Sequence, residues 1–330
     1  MHKRKKVLLT GCAGFIGSNF VKNICTKKEI LDEYSFVILD SLTYAGRLEN
    51  IQPELDKYPE SLSFVQIDIR DGEKIDRLFK GEEFWGCMNF AAESHVDRSI
   101  ESANLFVETN VLGTMNLLNS SLHQFKQTGE FRYLQISTDE VYGTLSLTDP
   151  AFTEKNPIEP NSPYSASKAG ADCLVRSFFE THKLPTIITR CSNNYGPYQF
   201  DEKFIPVVLK KSFRNESIPV YGNGTNIRDW IFVDDHNLGC WAAFTKGIPG
   251  EIYNLGGATE LTNLDLAKKI LKAMGKPESL ITFVEDRKGH DFRYAINFEK
   301  ATRELGWKPE VTFEAGLKKT LEHYESRFSL

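Results

Sequence analysis

A tyrosine and a lysine four residues apart are the first candidates for chemistry. Tyr164 and Lys168 follow Asn161-Ser162-Pro163, where the serine can cap a helix and the proline can occupy its first turn. Residues at this spacing share one face of a helix, about 6 Å apart along its axis. A tyrosine has an ordinary pKa of about 10, so it accepts a proton at neutral pH only when positive charge lies nearby. The pair therefore predicts Tyr164 as a base and Lys168 as the group that lowers the pKa of its phenol.

A second group of reactive side chains ends an apolar run some twenty residues earlier. Residues 131–136 predict a buried strand, and the strand delivers Ser137, Thr138, Asp139 and Glu140 to its carboxyl end. Ligands of open α/β sheets bind at that end of the strands. Two adjacent carboxyl groups and two hydroxyl groups at that end of a strand make it a candidate site for chemistry.

The elements that must position these groups begin with a strand, a glycine turn and a helix. The run Val7-Leu8-Leu9 stops at a turn whose glycines, Gly11, Gly14 and Gly17, stand three residues apart, and a helical pattern follows at once. Such a turn lets a pyrophosphate approach the N-terminus of the helix. The next apolar run ends in Asp40, whose carboxylate can bind ribose hydroxyls and would repel a 2′-phosphate. The pattern predicts a Rossmann-type site that prefers NAD to NADP.

Two further strand ends extend this predicted site. The run at 62–69 closes in Asp68-Ile69, which could lie beside the adenine, and the run at 88–92 ends in small residues that leave room for a dinucleotide. An oxidised nicotinamide would add a second positive charge near Tyr164. Residues 105–122 then predict a long helix whose broad apolar face indicates burial on two sides.

Composition excludes several other classes of protein. The net charge is −5, and the one basic run, at residues 2–6, has no matching patch elsewhere, which argues against a nucleic-acid partner. No stretch reaches the roughly 20 apolar residues of a membrane span. Six scattered cysteines and the absence of clustered histidines support neither a disulfide framework nor a metal site. We expect a soluble cytoplasmic protein, and we assign no metal.

Five motifs together resemble those of the dTDP-glucose 4,6-dehydratases, a family of extended short-chain dehydrogenases/reductases. The glycine turn and Tyr-x-x-x-Lys are common to the superfamily, whereas Thr138-Asp139-Glu140 is specific to nucleotide-sugar 4,6-dehydratases. The resemblance runs from about residue 6 to 325. The motifs span residues 10–17, 90–99, 137–143, 164–168 and 190–198.

The resemblance and the length of 330 residues together predict an α/β architecture. We expect a Rossmann doubly wound parallel sheet with a smaller C-terminal α/β substrate domain. Residues 1–190 would form the NAD-binding domain, to which the chain would return around 225–255. Residues 191–330 would mainly bind the nucleotide sugar.

The resemblance also implies a reaction, the conversion of dTDP-glucose to dTDP-4-keto-6-deoxyglucose. Tyr164 would deprotonate the 4-hydroxyl while a hydride leaves C4 for NAD, and Thr138 would hydrogen-bond the sugar near O4. Glu140 would then remove the C5 proton, and Asp139, held protonated, would donate to the departing 6-hydroxyl. The hydride would return to C6, so the cofactor should stay bound between turnovers.

The family's contacts carry over to many positions of this chain, and the resemblance further implies a homodimer built from helices that begin near residues 100 and 164. The implied NAD contacts are Gly11, Gly14, Phe15, Ile16, Gly17, Asp40, Ser41, Thr43, Gly46, Asp68, Ile69, Phe90, Ala91, Ala92, Ser94, Thr109, Tyr164, Lys168 and Asn194. The implied substrate contacts are Ser94, His95, Thr138, Asn193, Lys203, Phe204, Pro219, Tyr221, Arg228, Asn263, Arg287 and His290.

Alternatives to this function stay open at the level of sequence. Lys288 and Phe292 stand where the family more often has proline and arginine, so UDP-glucose and UDP-N-acetylglucosamine are alternative substrates. A nucleotide-sugar 4-epimerase would share Asp40, Tyr164 and Lys168 but would need no second acid and base. A non-catalytic NAD-binding regulator is a third alternative, although neither the Tyr/Lys pair nor the acid pair is broken.

Overall fold

Twelve strands and thirteen α-helices lie in the parts of the chain, residues 4–287 and 289–328, that the computed structural model describes. The strands are β1 (Lys5–Thr10), β2 (Tyr34–Asp40), β3 (Leu62–Gln66), β4 (Gly86–Asn89), β5 (Arg132–Thr138), β6 (Thr186–Cys191), β7 (Asn193–Tyr195), β8 (Ile218–Tyr221), β9 (Ile227–Phe232), β10 (Ile252–Leu255), β11 (Glu260–Thr262) and β12 (Ile281–Val284). The helices are α1 (Phe15–Asn23), α2 (Lys28–Leu31), α3 (Gln52–Lys57), α4 (Gly72–Gly81), α5 (Val96–Glu101), α6 (Asn104–Phe106), α7 (Thr114–Thr128), α8 (Pro163–His182), α9 (Phe204–Phe213), α10 (Val233–Lys246), α11 (Asn263–Ala273), α12 (Glu299–Leu305) and α13 (Phe313–Phe328).

Seven of the strands form one parallel sheet in the order β10-β6-β5-β4-β1-β2-β3. These strands read as continuous apolar runs because helices cover both faces of the sheet, and Val7, Leu8 and Leu9 of β1 are all fully buried. The strand order reverses between β1 and β4, which is where such sheets bind ligands. The predicted Rossmann doubly wound fold is confirmed.

The two faces of the sheet carry different helices. On one face α1, α10 and α12 pack over a core that includes Phe20, Phe244 and Trp307. On the other face α4, α7 and α8 cover a core that includes Leu117 and Val175. The C-terminal half of the chain therefore adds the strand β10 to the large sheet and the helices α10 and α12 to one of its faces.

The remaining C-terminal elements form a smaller α/β unit. Strands β8 and β12 pair in parallel, and β7, β9 and β11 form a three-stranded sheet beside them. Helices α9, α11 and α13 enclose a separate core that includes Ile205, Leu266 and Leu317. Asp235 joins this unit to the large sheet, because one oxygen of its carboxylate accepts hydrogen bonds from the backbone N–H groups of Glu310 and Val311.

The long helix predicted over 105–122 is present but contains an irregular turn. Residues Val107–Gly113 form a π-helical segment between α6 and α7. The side-chain oxygen of the buried Asn110 accepts a hydrogen bond from the N–H of Glu93. Its side-chain nitrogen donates to the C=O of Glu93 and to Ser167 on α8. This amide therefore ties the helix to the end of β4 and to the helix that carries Tyr164.

A buried ion pair connects α8 to β6. Arg190 Nε donates to Asp172 Oδ2 at 2.9 Å, and the side chains are only 2% and 1% exposed. The guanidinium carbon also lies 4.7 Å from the ring centroid of Tyr142, which closes the short helical turn Asp139–Tyr142. The pair thus links the helix of Tyr164 to the turn that bears Asp139 and Glu140.

We expect Arg190→Met to lower the free energy of unfolding by about 3 to 5 kcal/mol, because it leaves the Asp172 carboxylate buried without its partner. The double variant Arg190→Met, Asp172→Leu should recover most of that loss, since no uncompensated charge remains. Urea unfolding followed by circular dichroism would measure both. Lys80→Gln, which breaks the exposed Lys80–Asp76 pair, is the control and should cost less than about 1 kcal/mol. A double variant as unstable as the single one would contradict this account.

Candidate active site

A cleft of about 500 Å³ opens at the carboxyl ends of β1, β2, β4, β5 and β6. The structure brings every residue predicted to contact the dinucleotide to its wall. They are Gly11, Gly14, Phe15, Ile16, Gly17, Asp40, Ser41, Thr43, Gly46, Asp68, Ile69, Phe90, Ala91, Ala92, Ser94, Thr109, Tyr164, Lys168 and Asn194.

The glycine turn between β1 and α1 has the geometry that a phosphate site requires. Gly11 adopts φ +72°, and a Cβ at this position would lie 2.5 Å from the backbone of Ala91. At Gly17 a Cβ would lie 2.5 Å from Cys12 Cα, so only glycine allows α1 to pack this closely. No side chain caps the start of α1 and no acid stands in its first turn. Its free N–H groups and positive helix end therefore suit an anion.

Asp40 ends β2 at the rim of the same cleft. Its Oδ2 accepts a hydrogen bond from Ala13 N at 2.9 Å, and its Oδ1 accepts one from Leu42 N at 2.8 Å. Each oxygen keeps a further lone pair, which a ribose hydroxyl could use. Burial raises the pKa of this carboxyl group, with the backbone hydrogen bonds opposing the rise. The residues of the turn and of this strand end fit the adenosine and pyrophosphate parts of NAD.

The helix that carries Tyr164 and Lys168 is fixed at its start. Ser162 and Ser165 form a reciprocal capping box, with Pro163 in the first turn, as the sequence predicts. Both Tyr164 and Lys168 are buried. Lys168 Nζ donates to the carbonyl oxygen of Ile136 at 2.7 Å, on the strand that leads to Thr138.

The pKa of Tyr164 requires a correction to the sequence-based expectation. Burial raises the pKa of the phenol well above its ordinary value, and the nearby Glu140 and Cys191 raise it further, while a hydrogen bond from Thr138 opposes them. Lys168 is bonded to a carbonyl, and burial lowers the pKa of its own ammonium group. The protein's side chains alone therefore do not lower the pKa of Tyr164.

The two adjacent acids differ in their surroundings. Burial, followed by the charges of Glu140 and Asp229, raises the pKa of Asp139 well above its ordinary value. One oxygen of Asp139 accepts from Thr138 Oγ1 at 3.3 Å, and the other is buried without a partner. Burial also raises the pKa of Glu140, but the positive charges of Arg228 and Lys203 oppose that rise. Asp139 is thus the acid that carries a proton and can donate it, and Glu140 is the one that is more easily ionised and can accept a proton.

The predicted substrate contacts fall into three groups. Ser94, Thr138, Asn193 and Lys203 line the cleft. Arg228, Arg287, Tyr221 and His290 form a second group close to it.

Geometry and charge define the second group. The guanidinium of Arg287 lies 5.2 Å from the ring centroid of Tyr221, and His290 lies 6.3 Å from the same ring. The positive charges of Arg228 and Arg287 both act on Glu140.

The third group, like the second, lies outside the cleft wall, and each of its residues has a place in the surrounding elements. His95 caps α5 by accepting from Arg98 N. Phe204 begins α9 and packs on the core of the smaller unit, Pro219 lies in β8 and Asn263 begins α11. Lys288 lies outside the described residues, and the N–H of Phe292 donates to Thr144 Oγ1 at 2.9 Å.

Comparisons with known proteins agree with these observations. The sequence model of the family described as GDP-mannose 4,6 dehydratase matches residues 8–320. A dTDP-glucose 4,6-dehydratase of Neisseria meningitidis serogroup B is 47% identical, over 97% of this chain and 93% of that protein. The chain belongs to the dTDP-glucose 4,6-dehydratase family. A 50% identical relative from Haloferax volcanii, covering 96% of this chain and 98% of that one, is described as a low-salt glycan biosynthesis protein.

Solved structures place this dehydratase family among related enzymes. The dTDP-glucose 4,6-dehydratase of Streptomyces venezuelae, crystallised with NAD and TYD bound, has a TM-score of 0.91 and 43% identity over 98% of each chain. A UDP-glucose 4-epimerase of Thermotoga maritima has a TM-score of 0.86 at 27% identity, over 98% of this chain and 99% of that one. Because dehydratase and epimerase share the fold, the site residues must separate the two activities.

Several lining residues were not predicted from the sequence. Tyr44, Glu93, Cys191, Phe200 and Glu202 all face the cleft. Tyr44 and Glu202 are each adjacent in sequence to a predicted contact, and that adjacency could have indicated them as lining residues. In the described residues no group of three or more His, Cys, Asp or Glu side chains could hold a metal ion.

The raised pKa of Asp139 gives a prediction about stability. The folded protein holds this proton more tightly than the unfolded chain does, so the carboxyl group destabilises the fold progressively as the pH rises above its ordinary pKa of about 4. Asp139→Asn should therefore raise the melting temperature relative to the wild type at about pH 8, and by much less near about pH 4. Calorimetry at both pH values measures the difference. A gain that is equal at both pH values, or absent, would show that the carboxyl group titrates normally.

Proposed function

We propose that the protein catalyses the 4,6-dehydration of dTDP-glucose, using bound NAD, to give dTDP-4-keto-6-deoxyglucose. The observation that carries this proposal is the pair Asp139 and Glu140 at the end of β5, in the same cleft as Tyr164 and Lys168. A tyrosine and lysine suffice to oxidise an alcohol, but only an elimination needs the second acid and base. Membership of the dTDP-glucose 4,6-dehydratase family supports the same substrate.

The first stage rests on Tyr164, which would take the proton of the sugar 4-hydroxyl while Thr138 hydrogen-bonds that oxygen. Bound NAD would supply the redox chemistry, the transfer of a hydride from C4 to C6, and its oxidised ring would supply the positive charge that the side chains do not provide to Tyr164. Lys168, held on the carbonyl of Ile136, would help to hold the cofactor.

The second stage rests on the two acids. The 4-ketone makes the C5 proton acidic, and Glu140 would remove it. Asp139, whose raised pKa keeps it protonated, would donate its proton to the departing 6-hydroxyl. Glu140 would return its proton to C5 as the hydride reaches C6. The proton that Tyr164 gains then replaces the one that Asp139 gives up, so the sum of the steps is the loss of one water.

We assign nucleotide and diphosphate binding mainly to residues 191–330, and dinucleotide binding to residues 1–190 with a return of the chain around 225–255. Lys203, Arg228 and Arg287 bring positive charge toward the acid pair from the C-terminal half. Guanidinium groups offer paired donors to phosphate oxygens, which favours a diphosphate near the two arginines. Asn193, whose side-chain oxygen is buried without a partner, would face the sugar nucleotide, and Asn194 the cofactor.

Incubation with dTDP-glucose, UDP-glucose and UDP-N-acetylglucosamine separately, without added reductant, tests the proposal. We expect loss of the mass of one water from dTDP-glucose, measured by mass spectrometry, with no net formation of NADH. Glu140→Gln should slow this loss by about 100-fold or more, because the general base is gone. Loss of water from a UDP-sugar alone would show that the substrate carries UDP and not dTDP. Isomerisation without loss of mass would indicate an epimerase. No change in any of the sugars, with NAD bound, would indicate a regulator.

We further propose that the protein is a cytoplasmic homodimer. None of the described helices has the length and apolarity to cross a membrane, and all six cysteines are free, as in a reducing compartment. Four apolar side chains are exposed along residues 100–112, which is unusual for a surface that meets only water. They are Ile100 at 40%, Leu105 at 38%, Val107 at 52% and Leu112 at 39%.

Sedimentation at micromolar concentration should therefore give a dimer for the wild type. The double variant Val107→Glu, Leu112→Glu should sediment as a monomer, because it buries two charges in the proposed interface. Ile248→Glu, at a position that is 54% exposed elsewhere on the surface, is the control and should remain dimeric. A wild-type monomer would contradict the proposed dimer without affecting the proposed reaction.

A further inference from the structure

The loop that follows Asp40 is held from within by that carboxylate. Asp40 Oδ1 accepts from Leu42 N, and a Cβ on Gly46 would lie 2.7 Å from the same oxygen, so the loop wraps closely around the strand end. Tyr44 lies at the middle of this loop and lines the cleft. Its hydroxyl donates to Glu93 Oε2 at 3.2 Å, across the cleft from the loop.

The ring of Tyr44 is contacted by two residues from other parts of the chain. The guanidinium carbon of Arg98, on α5, lies 3.9 Å from the ring centroid. Phe200, which precedes α9, meets the ring edge to face with centroids 5.4 Å apart. Such contacts are worth more than the area they bury, because the face of an aromatic ring attracts cations and ring edges.

Glu202 fixes the arginine in this position. Arg98 Nη2 donates to Glu202 Oε2 at 2.9 Å, and the Glu202 side chain is only 17% exposed. Phe200 and Glu202 belong to the segment that begins the C-terminal half, and both line the cleft. Three separate segments therefore meet at Tyr44, in the loop that also carries the predicted dinucleotide contacts Ser41, Thr43 and Gly46.

We propose that Tyr44, Arg98 and Glu202 form a clasp that retains the dinucleotide in the cleft between turnovers, an inference that rests on the proposed use of NAD. The reaction returns the hydride to the sugar, so it never requires exchange of the cofactor with solvent. Movement of the loop away from the cleft would separate the ring of Tyr44 from Arg98 and Phe200. The three are positioning residues and take no part in proton transfer.

The test measures NAD release directly. Protein loaded with NAD is diluted into an alcohol dehydrogenase that consumes free NAD, and the absorbance of the NADH so formed gives the dissociation rate. Arg98→Ala should release NAD about threefold faster, because the Arg98 side chain is 46% exposed and an exposed cation and ring contact is weak. Tyr44→Ala also loses the edge contact with Phe200 and should release NAD about tenfold faster. The double variant should be little faster than Tyr44→Ala alone, because that variant already lacks the contact with Arg98.

Matched variants separate the contact from the general stability of the fold. Tyr44→Phe keeps the ring and should release NAD within about threefold of the wild-type rate, since it loses one hydrogen bond of ordinary net strength. Arg98→Lys keeps the charge but not the planar stack, so its release should lie between the wild type and Arg98→Ala. Lys268→Ala, which breaks the exposed Lys268–Glu278 pair, should change neither the release rate nor the melting temperature.

The outcomes distinguish the clasp from the proposed function. Wild-type protein that neither carries nor binds NAD would overturn the cofactor assignment itself. Wild-type protein that holds NAD, together with Tyr44→Ala and Arg98→Ala variants that release it at the wild-type rate, would overturn the clasp alone. Faster release that merely parallels a lower melting temperature, and that Tyr44→Phe shares with Tyr44→Ala, would also overturn it.

Discussion

The burial of the Asp139 carboxyl group beside Glu140 constrains the rest of the site. Two carboxyl groups in adjacent positions, removed from water, cannot both ionise without a large cost in free energy. Positive charge from Arg228 and Lys203 favours ionisation at Glu140, whereas Asp229 opposes it at Asp139. Which of the two carboxyl groups acts as the acid and which as the base therefore depends on the positions of the charged side chains of the C-terminal half.

Two units of the fold contribute different parts of the site. The parallel sheet supplies the fixed parts, namely the glycine turn, the end of β5 and the helix of Tyr164, which the Arg190–Asp172 pair holds in register with the turn of Asp139. The smaller unit supplies Lys203 and Arg228, whose positive charges act on Glu140. Asp139 is almost wholly buried at the end of β5, and this burial is the main cause of its raised pKa.

Local sequence patterns predicted most of the large sheet, the glycine turn and Asp40, whereas the family resemblance supplied most of the other cofactor contacts. Strands buried on both faces give continuous apolar runs, the turn at Gly11 requires glycine, and the capping box at Ser162 precedes Tyr164 by a fixed distance. Each of these signals is contained within about ten residues, so it can be recognised without knowledge of the tertiary structure.

Features that depend on distant segments could not be predicted in the same way. The raised pKa of Tyr164 arises from burial and from Glu140 and Cys191, which only the folded chain brings near it. The stack of Arg98 on Tyr44 joins residues more than fifty positions apart, and neither carries a local signal for the contact.

The central claim is that one hydride leaves C4 and returns to C6 while Asp139 and Glu140 remove water. The most direct measurement uses dTDP-glucose that carries deuterium at C4, with the product examined by nuclear magnetic resonance. The account predicts a 4-keto product whose C6 methyl group contains the deuterium. A 4-keto-6-deoxy product without deuterium at C6, or a sugar that keeps its 6-hydroxyl, would contradict it.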